Sequence, residues 1–587
     1  MALERSSILV MEGVAASPGV AIGRARVADR AKVAVSEVAI HQDSVAGEVK
    51  RFLEAIERVK EDLLLLKAQI EAEKGAEHLY ILDTHLMILE DPMLTAETVT
   101  CIGTQYINAE GSLKRTLAKF KGFFDTIADE YLRERGGDVD IVGERILRRM
   151  VGVQQESITE LDGKVIVVAH DLSPADVLQI DKSKVIGFAT DLGGKTSHAS
   201  ILARALGIPA VVGLETATAA IQSGDHIMID GSTGSVVVNP DKQTFKDYLA
   251  RKKYYDYCTR ELAKLRDMPA ETVDGHRITL KGNLEFAEEA AALKEHGGEG
   301  IGLYRTEMLF MNRGNLPDEE EQFNAYLKMI QEVSPHPVSI RTLDVGGDKF
   351  VSGLNLEDEL NPALGLRAIR LSLRNPETFR PQIRAILRAS AFGHLRIFFP
   401  MISGVSEIRA VKRHLQEVRN DLKSEGILYD ENIMVGIMIE VPSAVLTADL
   451  LAKEVDFFSV GTNDLIQYTL AIDRTNEHLS HLYQPLNPAI LRSLKMIVEA
   501  AHSAGIEACI CGEMAGDPLY LPILLGLGFD ELSMSPLFIP RVKNILRRCS
   551  ISEARALTER VLKADTEEDI ELILKSGIAA HFSDSFD

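Results

Sequence analysis

The stretch IMVGIMIEVPSAVLTADLLAKEVDFFSVGTND, residues 433–464, contains two β-prone runs separated by a helical stretch. The first run ends at Glu440, and the second ends at Asn463 and Asp464. Runs rich in β-branched and aromatic residues that alternate with helical patterns indicate βαβ units and a parallel sheet. We therefore expect the polar residues at the two run ends to lie at the same edge of that sheet.

The same alternation extends through the second half of the chain. Eight β-prone runs follow residue 269, separated by helical stretches: RITLKGN, GIGLYRT, PVSIRTLD, LRIFFPM, IMVGIMIE, VDFFSVGTND, IEACICGE and DELSMSP. Eight βα units in a segment of this length predict a (β/α)8 TIM barrel, the C-terminal part of a multidomain α/β protein. Enzymes with this fold carry their chemistry on the loops that follow the carboxyl ends of the strands.

The first half of the chain predicts another α/β domain, interrupted by helices. β-prone runs occur in ILVMEGVAASPGVAIGRARV near the start and again at 164–240, where HIMIDGSTGSVVVNP predicts a hairpin. Between them, apolar residues recur at steps of three and four, which is typical of a long packed helix. These residues are Val45, Val49, Phe52, Ile56, Val59, Leu63, Leu66 and Ile70.

These patterns divide the chain into four structural parts. We expect the α/β domain at 1–35 and 152–240, an inserted helical subdomain at 36–151, a helical linker at 241–268 and the barrel at 269–587. The linker segment is charged, amphipathic and largely free of helix breakers. Its periodicity is equally consistent with a moving connector and with one more packed helix.

The composition argues against several classes of protein. The 587 residues include 65 lysines and arginines against 87 aspartates and glutamates, and the formal net charge of −22 would repel nucleic acid and anionic membranes. Five scattered cysteines do not suggest a disulfide framework. We find no signal-peptide pattern and no apolar run long enough to span a membrane. We therefore expect a cytoplasmic protein without membrane insertion.

The residues that follow the β-prone runs of the barrel are polar and could converge. Arginine forks bind phosphate and carboxylate oxygens, and two carboxylates from neighbouring strands suit a hard cation such as Mg²⁺. Singly, each residue is more typical of a surface ion pair, but placement after five different strands favours a site for a small phosphorylated ligand. The residues are Arg305, Arg341, Asp344, Asp348, Lys349, Glu440, Asn463, Asp464, Cys511 and Glu513, with Arg474 farther along the sixth loop.

Cys509 and Cys511 form a Cys-x-Cys pair in the seventh run. We expect them to lie on opposite faces of their strand, so that they do not form a metal pair and only one faces the site. Cys511, at the end of the run, is the candidate proton donor, and Cys509 is assigned to the core. A simply buried cysteine remains the alternative for Cys511.

The stretch GGKTSHASILARALGIPAVVG, residues 193–213, places His198 in the first turn of a predicted helix. The amide groups and the dipole at a helix start favour an anion and disfavour imidazole protonation, which leaves a nitrogen lone pair for nucleophilic attack. A phosphoryl group on His198 would be stabilised by Lys195 and Arg204. The alternative is a histidine that only hydrogen-bonds at the helix start.

Five motifs, in order along the chain, resemble Enzyme I of the bacterial phosphotransferase system, the phosphoenolpyruvate-protein phosphotransferase family. They are GGKTSHASILARALGIPAVVG, GIGLYRTEMLFM, RTLDVGGDK, FFSVGTNDLIQYTLAIDR and CGEMAGDP. The resemblance runs from SPGVAIG to MSPLFIPRVK and includes the helical insertion. It implies that His198 takes a phosphoryl group from phosphoenolpyruvate and passes it to a histidine of the phosphocarrier protein HPr, the first step of sugar uptake.

The resemblance also implies roles for the barrel residues. One group would hold the phosphate and carboxylate of the substrate: Arg305, Arg341, Lys349, Arg367, Asn463 and Arg474. Glu440 and Asp464 would bind Mg²⁺, and Cys511 would protonate the enolpyruvate carbon. The reaction would be an in-line phosphoryl transfer, in which positioning and charge neutralisation supply most of the catalysis.

Motion and assembly are further implications of the resemblance. The α/β domain would swivel between the barrel and HPr bound on the helical insertion, with residues 241–268 as the hinge region, and the barrel would form a homodimer. Apolar side chains of HLMILEDPML, residues 85–94, would form the HPr surface, unless they are ordinary interhelical core.

Two positions depart from the family pattern. Lys195 stands where many members carry arginine, and an ammonium group cannot make the bidentate phosphate contact of a guanidinium. Val177 stands where relatives often carry threonine, which leaves open the partner that sets the tautomer of His198. Both departures bear on the stability of a phosphohistidine.

Three other functions compete with this interpretation. A pyruvate phosphate dikinase or phosphoenolpyruvate synthase would need an ATP-binding domain, and the first 155 residues contain no glycine-rich nucleotide cradle. The nitrogen-branch paralogue of Enzyme I typically adds an N-terminal sensory domain, which we do not expect here. A non-catalytic scaffold relative would dock partners without needing an intact site.

Overall fold

The computed structural model divides into two compact units, Met1–Cys258 and Thr259–Asp587. The first contains an eight-stranded sheet and a helical insertion, and the second contains a closed barrel. The residues that the structure describes are 8–28, 36–74, 80–126, 130–152, 163–172, 184–194, 200, 203–204, 207–287, 289–310, 315–346, 361–473, 479 and 482–582.

The sheet of the first unit joins strands from both sides of the helical insertion. Its strands are β1 Leu9–Glu12, β2 Val14–Ser17, β3 Val20–Ala28, β4 Val165–Ala169, β5 Val185–Thr190, β6 Ala210–Val212, β7 His226–Asp230 and β8 Ser235–Val238. Their order is β1-β8-β7-β3-β4-β5-β6-β2, with parallel pairing from β3 to β6 and antiparallel pairing on both sides. The strand runs predicted for the first half all occur here, including the β7–β8 hairpin.

The insertion between β3 and β4 is helical, as predicted. Its helices are α1 Val45–Lys74, α2 Tyr80–Glu90, α3 Pro92–Gln105, α4 Ala109–Thr126 and α5 Glu130–Val151. Phe52 and Leu63 of α1 are fully buried against Leu113 of α4 and Val142 of α5. The described part of the predicted α1 seam therefore packs in the core of this subdomain, while the side chains of Leu66 and Ile70 lie outside the described residues.

Two further α-helices with both ends described begin in the first unit, α6 Ala217–Ala220 and α7 Lys242–Ala263. The Tyr248 hydroxyl of α7 lies 2.6 Å from Ser235 Oγ on β8, and Lys252 Nζ donates to the Val20 carbonyl at 3.2 Å. The segment predicted as a linker is thus helical, and its first half packs against the sheet. That packing favours the packed-helix alternative for this half of α7.

The barrel of the second unit contains all eight predicted strands. They are β9 Thr279–Leu284, β10 Ile301–Tyr304, β11 Val338–Arg341, β12 Leu395–Phe399, β13 Met434–Ile439, β14 Phe457–Val460, β15 Glu507–Ile510 and β16 Glu531–Met534. Every neighbouring pair is parallel, and β16 pairs with β9 to close the barrel. The predicted TIM-barrel fold is confirmed.

Helices surround the barrel strands. They are α8 Glu289–Glu295, α9 Glu319–Val333, α10 Ala368–Arg374, α11 Pro376–Ser390, α12 Val405–Glu425, α13 Pro442–Leu446, α14 Ala448–Leu451, α15 Thr462–Leu470, α16 Pro488–Ala504, α17 Leu521–Leu527, α18 Ile539–Leu546, α19 Ile551–Val561 and α20 Glu567–Phe582. The largest core lies between strands and helices and includes Tyr326, Phe379, Phe399 and Phe458. In the described ranges, no helix has both the length and the hydropathy of a membrane span.

A separate apolar cluster fills the inside of the barrel: Leu303, Phe398, Met438, Phe457, Cys509 and Cys511. The prediction that Cys509 and Cys511 lie on opposite faces is therefore wrong. Side chains along a strand alternate with a period of two, so two residues separated by one other share a face. Both thiols are buried inside the barrel, and Cys511 differs in lying just beyond the carboxyl end of β15.

Candidate active site

Five predicted site residues lie at the carboxyl end of the barrel. Arg305 directly follows β10, Arg341 ends β11 and Glu440 follows β13. Asp464 lies in the first turn of α15, after β14, and Cys511 follows β15. In a closed parallel barrel these strand ends meet at one face, so residues distant in sequence gather around one opening.

Asp344 joins two of the predicted arginines. Its Oδ2 lies 2.8 Å from Arg341 Nη1, and its Oδ1 lies 2.9 Å from Arg367 Nη2. Arg367 Nη1 also donates to the Tyr468 hydroxyl at 3.0 Å, and its Nη2 lies 3.9 Å from Asp464 Oδ2. The structure therefore brings Arg367, which lies far along the loop after β11, beside Arg341 and Asp464.

Glu307 fixes Arg341 and the backbone of Asp344. Its Oε1 accepts hydrogen bonds from Arg341 Nη2 at 2.9 Å and from the Asp344 backbone N–H at 3.0 Å. Burial acts to lower the pKa of Arg341, but the carboxylates of Asp344 and Glu307 outweigh it and raise this pKa. The guanidinium group is thus held charged and oriented in a nearly solvent-free position.

Glu440 is a carboxyl group in a crowded anionic environment. It is 1% exposed, and its Oε1 accepts the Met401 backbone N–H at 2.6 Å. Burial, followed by the neighbouring carboxylates of Asp464 and Asp344, raises the pKa of Glu440 to about 8. A Cβ at Gly461 would come within 2.6 Å of Glu440 Oε2, so glycine leaves the space beside this oxygen open.

This donor set fits a divalent cation. Glu440 and Asp464 come from neighbouring strands and supply hard oxygen ligands, which Mg²⁺ prefers. The two carboxylates repel each other, which contributes to the raised pKa of Glu440, and a bound cation would offset this repulsion.

Arg305 is less enclosed than Arg341 and Arg367. Its side chain is 40% exposed, and Nη1 pairs with the carboxylate of Glu285, which directly follows β9. The guanidinium group therefore sits at the rim of the opening and can exchange contacts with a ligand.

Asn463 joins the loops after β14 and β15. Its Nδ2 donates to Glu513 Oε1 at 3.2 Å, and its Oδ1 accepts the Glu513 backbone N–H at 3.1 Å. A Cβ at Gly512 would come 1.7 Å from Thr462 Oγ1, so only glycine permits this close approach of the two loops.

Cys511 carries a buried and protonated thiol. Ser459 Oγ donates to its Sγ at 3.3 Å, and the thiol donates to the Val460 carbonyl at 3.6 Å. Burial raises the pKa of Cys511 to about 11, so the proton is present at neutral pH. Asn283 Nδ2 donates to the Cys511 carbonyl at 2.8 Å and fixes the backbone. This geometry suits a proton donor.

Some of the predicted residues lie outside the described residues. They are Asp348, Lys349 and Arg474 of the barrel loops, and His198, Lys195 and Val177 of the first unit. Gly194 and Ser200 precede and follow His198 in the sequence, and Ser200 Oγ donates to the Gly194 carbonyl at 2.7 Å.

A histidine–aspartate pair lies at the edge of the first unit's sheet. His170 follows β4, and Asp191 follows the adjacent parallel strand β5. His170 Nδ1 lies 3.0 Å from Asp191 Oδ2, and Asp191 Oδ1 accepts the Thr218 backbone N–H at 3.1 Å. Beyond Asp191 the chain enters the glycine pair that opens the His198 motif. The sequence analysis did not single out this pair.

The amino end of the barrel holds a second charged cluster. Ligand atoms of Glu507, Cys509 and Glu531 lie within 4.8 Å of one another. However, Glu531 Oε2 already lies 2.5 Å from Lys281 Nζ and 2.7 Å from Arg396 Nη2. Because these cations neutralise the carboxylate, we interpret the cluster as a structural ion network and a weak metal candidate.

Four residues of the site were missed: Glu285, Glu307, Ser459 and Tyr468. Glu307 stands two residues after Arg305 in a quoted motif, and Ser459 stands in the quoted run before Asn463. The available signal for Glu285, Glu307 and Ser459 was their position after or within a barrel strand, whereas Tyr468 lies inside α15. Arginines and metal-type carboxylates stand out in a sequence by their chemistry, whereas the pairing of side chains from different βα units does not.

Comparison with known proteins finds three matching family models along the chain. The PEP-utilising enzyme PEP-binding domain matches residues 259–551, the N-terminal domain of PEP-utilising enzymes matches 12–135, and their mobile domain matches 161–234. The barrel and its site therefore define the class of the protein as a PEP-utilising enzyme. Enzymes of this class need a metal ion.

Three curated relatives extend over almost the whole chain. All are phosphoenolpyruvate-protein phosphotransferases, and the one from Staphylococcus carnosus is 43% identical, with 95% of this chain and 97% of that protein covered. The Bacillus subtilis protein is 44% identical, with coverage of 96% and 99%. The Haemophilus influenzae protein is 41% identical, with coverage of 96% and 98%. The chain belongs to this family of phosphate-transferring enzymes.

Proposed function

We propose that the protein transfers the phosphoryl group of phosphoenolpyruvate to His198 and then to a histidine of HPr, as the first step of sugar uptake. The observation that carries this proposal is the convergence of arginines, buried carboxylates and a protonated thiol at one end of the barrel. The family membership supports the same reaction.

Substrate binding would use cationic side chains that are oriented before the ligand arrives. Arg341 and Arg367 are fixed by Asp344, so little reorganisation is needed when phosphate and carboxylate oxygens bind. The other substrate-binding residues in this proposal are Arg305, Lys349, Asn463 and Arg474.

Glu440 and Asp464 would hold Mg²⁺. When bound, the ion would neutralise charge on the phosphoryl oxygens and help to orient them. The crowding of carboxylates at Glu440 supports this assignment.

Proton donation would complete the conversion of the enolate into pyruvate. As the bond between phosphorus and the enol oxygen breaks, phosphorus bonds to an imidazole nitrogen of His198. The enol oxygen becomes a carbonyl oxygen, and C3 takes the Cys511 thiol proton while the S–H electron pair stays on sulfur. The protonated state of Cys511 supports its role as this donor.

We propose that four parts of the chain have separate functions. Residues 1–35 and 152–240 would form the swivelling phosphohistidine domain, 36–151 the HPr-binding subdomain, 241–268 the linker, and 269–587 the substrate-binding and dimerisation domain. The matches to an N-terminal, a mobile and a PEP-binding domain support this division in outline. We further propose that the protein acts in the cytoplasm.

The HPr surface would include the turn between α2 and α3. Met87 and Met93 are 53% and 59% exposed, whereas Leu86 and Leu89 are buried. The stretch HLMILEDPML therefore contains both core residues and exposed methionines, and the methionines are the part that supports a docking surface.

The function is tested by incubating the protein with Mg²⁺ and labelled phosphoenolpyruvate and then adding a carrier. We expect acid-labile label on the protein and transfer of that label to HPr. Faster transfer to the nitrogen-branch carrier would instead favour the paralogue. Absence of label on the protein would favour the non-catalytic scaffold.

Removal of the metal should separate the two half-reactions. We expect EDTA to abolish label incorporation from phosphoenolpyruvate, because the Glu440 and Asp464 carboxylates would then repel the substrate's anionic groups. Transfer from phosphorylated His198 to HPr should continue, because it would not use the barrel site. Label incorporation at an undiminished rate in EDTA would contradict the metal assignment.

Replacing Arg305 by lysine should raise the KM for phosphoenolpyruvate about 10- to 100-fold. This is the loss of binding affinity expected when one charge-assisted hydrogen bond is removed. Thermal stability should change little because the side chain is partly exposed. Arg277→Lys is the matched control, since Arg277 also pairs with a glutamate, Glu299 at 2.8 Å, but at an exposed position. Equal KM values for the two variants in steady-state kinetics would remove Arg305 from the binding site.

A further inference from the structure

We infer that Ser459 is a positioning residue for the proton donor: its hydroxyl stabilises the Cys511 thiolate that forms when the thiol proton moves to the enolpyruvate carbon. This inference rests on the proposed function. The inference assigns Ser459 to the half-reaction with phosphoenolpyruvate. It concerns the Cys511 thiolate, the state of the sulfur after the proton has been transferred.

The position of Ser459 follows from the pairing of β14 with β15. Ser459 is the register partner of Cys509, and Phe457, two residues earlier, belongs to the cluster inside the barrel. Residues two apart share a face, so Ser459 also points into the barrel. It is 1% exposed, and its Oγ lies 3.3 Å from Cys511 Sγ.

The direction of the hydrogen bond is fixed by a second contact of the sulfur. Cys511 Sγ lies 3.6 Å from the Val460 carbonyl oxygen, which can only accept. The thiol proton therefore points to Val460, and the Ser459 hydroxyl is the donor. In the described part of the chain, this is the hydrogen bond that the sulfur accepts, and it persists when the sulfur becomes an anion.

Charge at the sulfur makes this hydrogen bond matter for the reaction. Burial disfavours a thiolate strongly, and among the described residues the charges of Arg341 and Arg305 favour it while that of Glu440 opposes it. Hydrogen bonds to charged groups are about twice as strong as neutral ones. The Ser459 contact therefore strengthens as the S–H bond breaks and its electron pair stays on sulfur, which lowers the barrier for proton transfer to C3.

The test is Ser459→Ala in the full-length protein. We expect the single-turnover rate with phosphoenolpyruvate to fall about 10- to 100-fold, because the variant loses one hydrogen bond to a charged group. The KM should stay near the wild-type value, and the solvent deuterium isotope effect should increase because proton transfer becomes more rate-limiting. Phosphoryl exchange between His198 and HPr should be unchanged.

Two variants separate this role from a structural one. Ser459→Thr keeps a hydroxyl and should recover most of the rate. Ser339→Ala removes another fully buried hydroxyl of the barrel, one that accepts from Arg396 Nε at 2.9 Å, and should leave the single-turnover rate unchanged. Far-ultraviolet circular dichroism and the melting temperature check folding, and Ser459→Thr carries the test if the alanine variant does not fold.

Several outcomes would overturn the inference. These are a wild-type rate in Ser459→Ala, equal losses in both half-reactions, or a Ser459→Thr variant that folds but is as slow as alanine. Failure of the proposed function is distinguishable, because wild-type protein would then form no pyruvate from phosphoenolpyruvate. Failure of the inference alone leaves wild-type turnover intact.

Discussion

His198→Ala should remove all acid-labile label that the protein acquires from phosphoenolpyruvate and Mg²⁺. The expected loss is complete because no other group can substitute for the imidazole that bonds to phosphorus in the proposed reaction. The barrel site should remain intact, so the variant should still bind phosphoenolpyruvate with an affinity close to that of wild type. Label on the quenched protein and substrate binding by calorimetry measure the two effects separately.

His170→Ala is the matched control for this prediction. His170 directly follows β4 and is paired with Asp191 at 3.0 Å, so its replacement removes an oriented imidazole from the first unit. We expect this variant to keep its label. Label retained on His198→Ala, or lost from His170→Ala alone, would show that the nucleophile has been assigned to the wrong histidine.

Cys511→Ser should slow the reaction with phosphoenolpyruvate about 10²- to 10⁴-fold, the usual contribution of a positioned general acid. A serine hydroxyl is a far weaker acid than a thiol, and the buried position makes its ionisation harder still. Exchange of the phosphoryl group between His198 and HPr should keep its rate, because protonation of the enolate belongs only to the first half-reaction. Single-turnover kinetics of each half-reaction measure this asymmetry.

Cys509→Ser is the matched control for Cys511→Ser. The two cysteines share the inner face of the barrel and are 3% and 4% exposed, so both substitutions place a hydroxyl in an equally buried position. Only Cys511 lies beyond the carboxyl end of β15, where the substrate would bind. Equal slowing by both variants, or equal losses in both half-reactions of Cys511→Ser, would contradict its role as proton donor.

The barrel could be predicted because each of its strands carries its own local signal. Runs such as IMVGIMIE and VDFFSVGTND are apolar, rich in β-branched or aromatic residues, and bounded by helical stretches, so the eightfold alternation is visible without tertiary information. In TIM barrels the active site lies at the carboxyl ends of the strands, and this position predicts Arg305, Arg341, Glu440 and Asp464 as site residues. The structure places these residues at the same end of the barrel.

The pairing within the site could not be predicted, because it depends on contacts between distant βα units. Glu307 binds Arg341 and the Asp344 backbone, and Asp344 in turn binds Arg367. No periodicity in the sequence specifies these partners. The prediction for the two cysteines is wrong for another reason: alternation separates adjacent residues, whereas Cys509 and Cys511 are two residues apart and share a face.

The measurement that tests the central claim most directly is the location of the phosphoryl group on the wild-type protein. Loss of label in a variant shows that a residue is required, whereas mass spectrometry of the wild-type chain, kept at alkaline pH after reaction with Mg²⁺ and phosphoenolpyruvate, identifies the residue that is modified. We predict a single phosphohistidine at His198, which disappears when HPr is added. A phosphoryl group on any other residue, including His170, or a modified His198 that HPr does not discharge, would contradict the account.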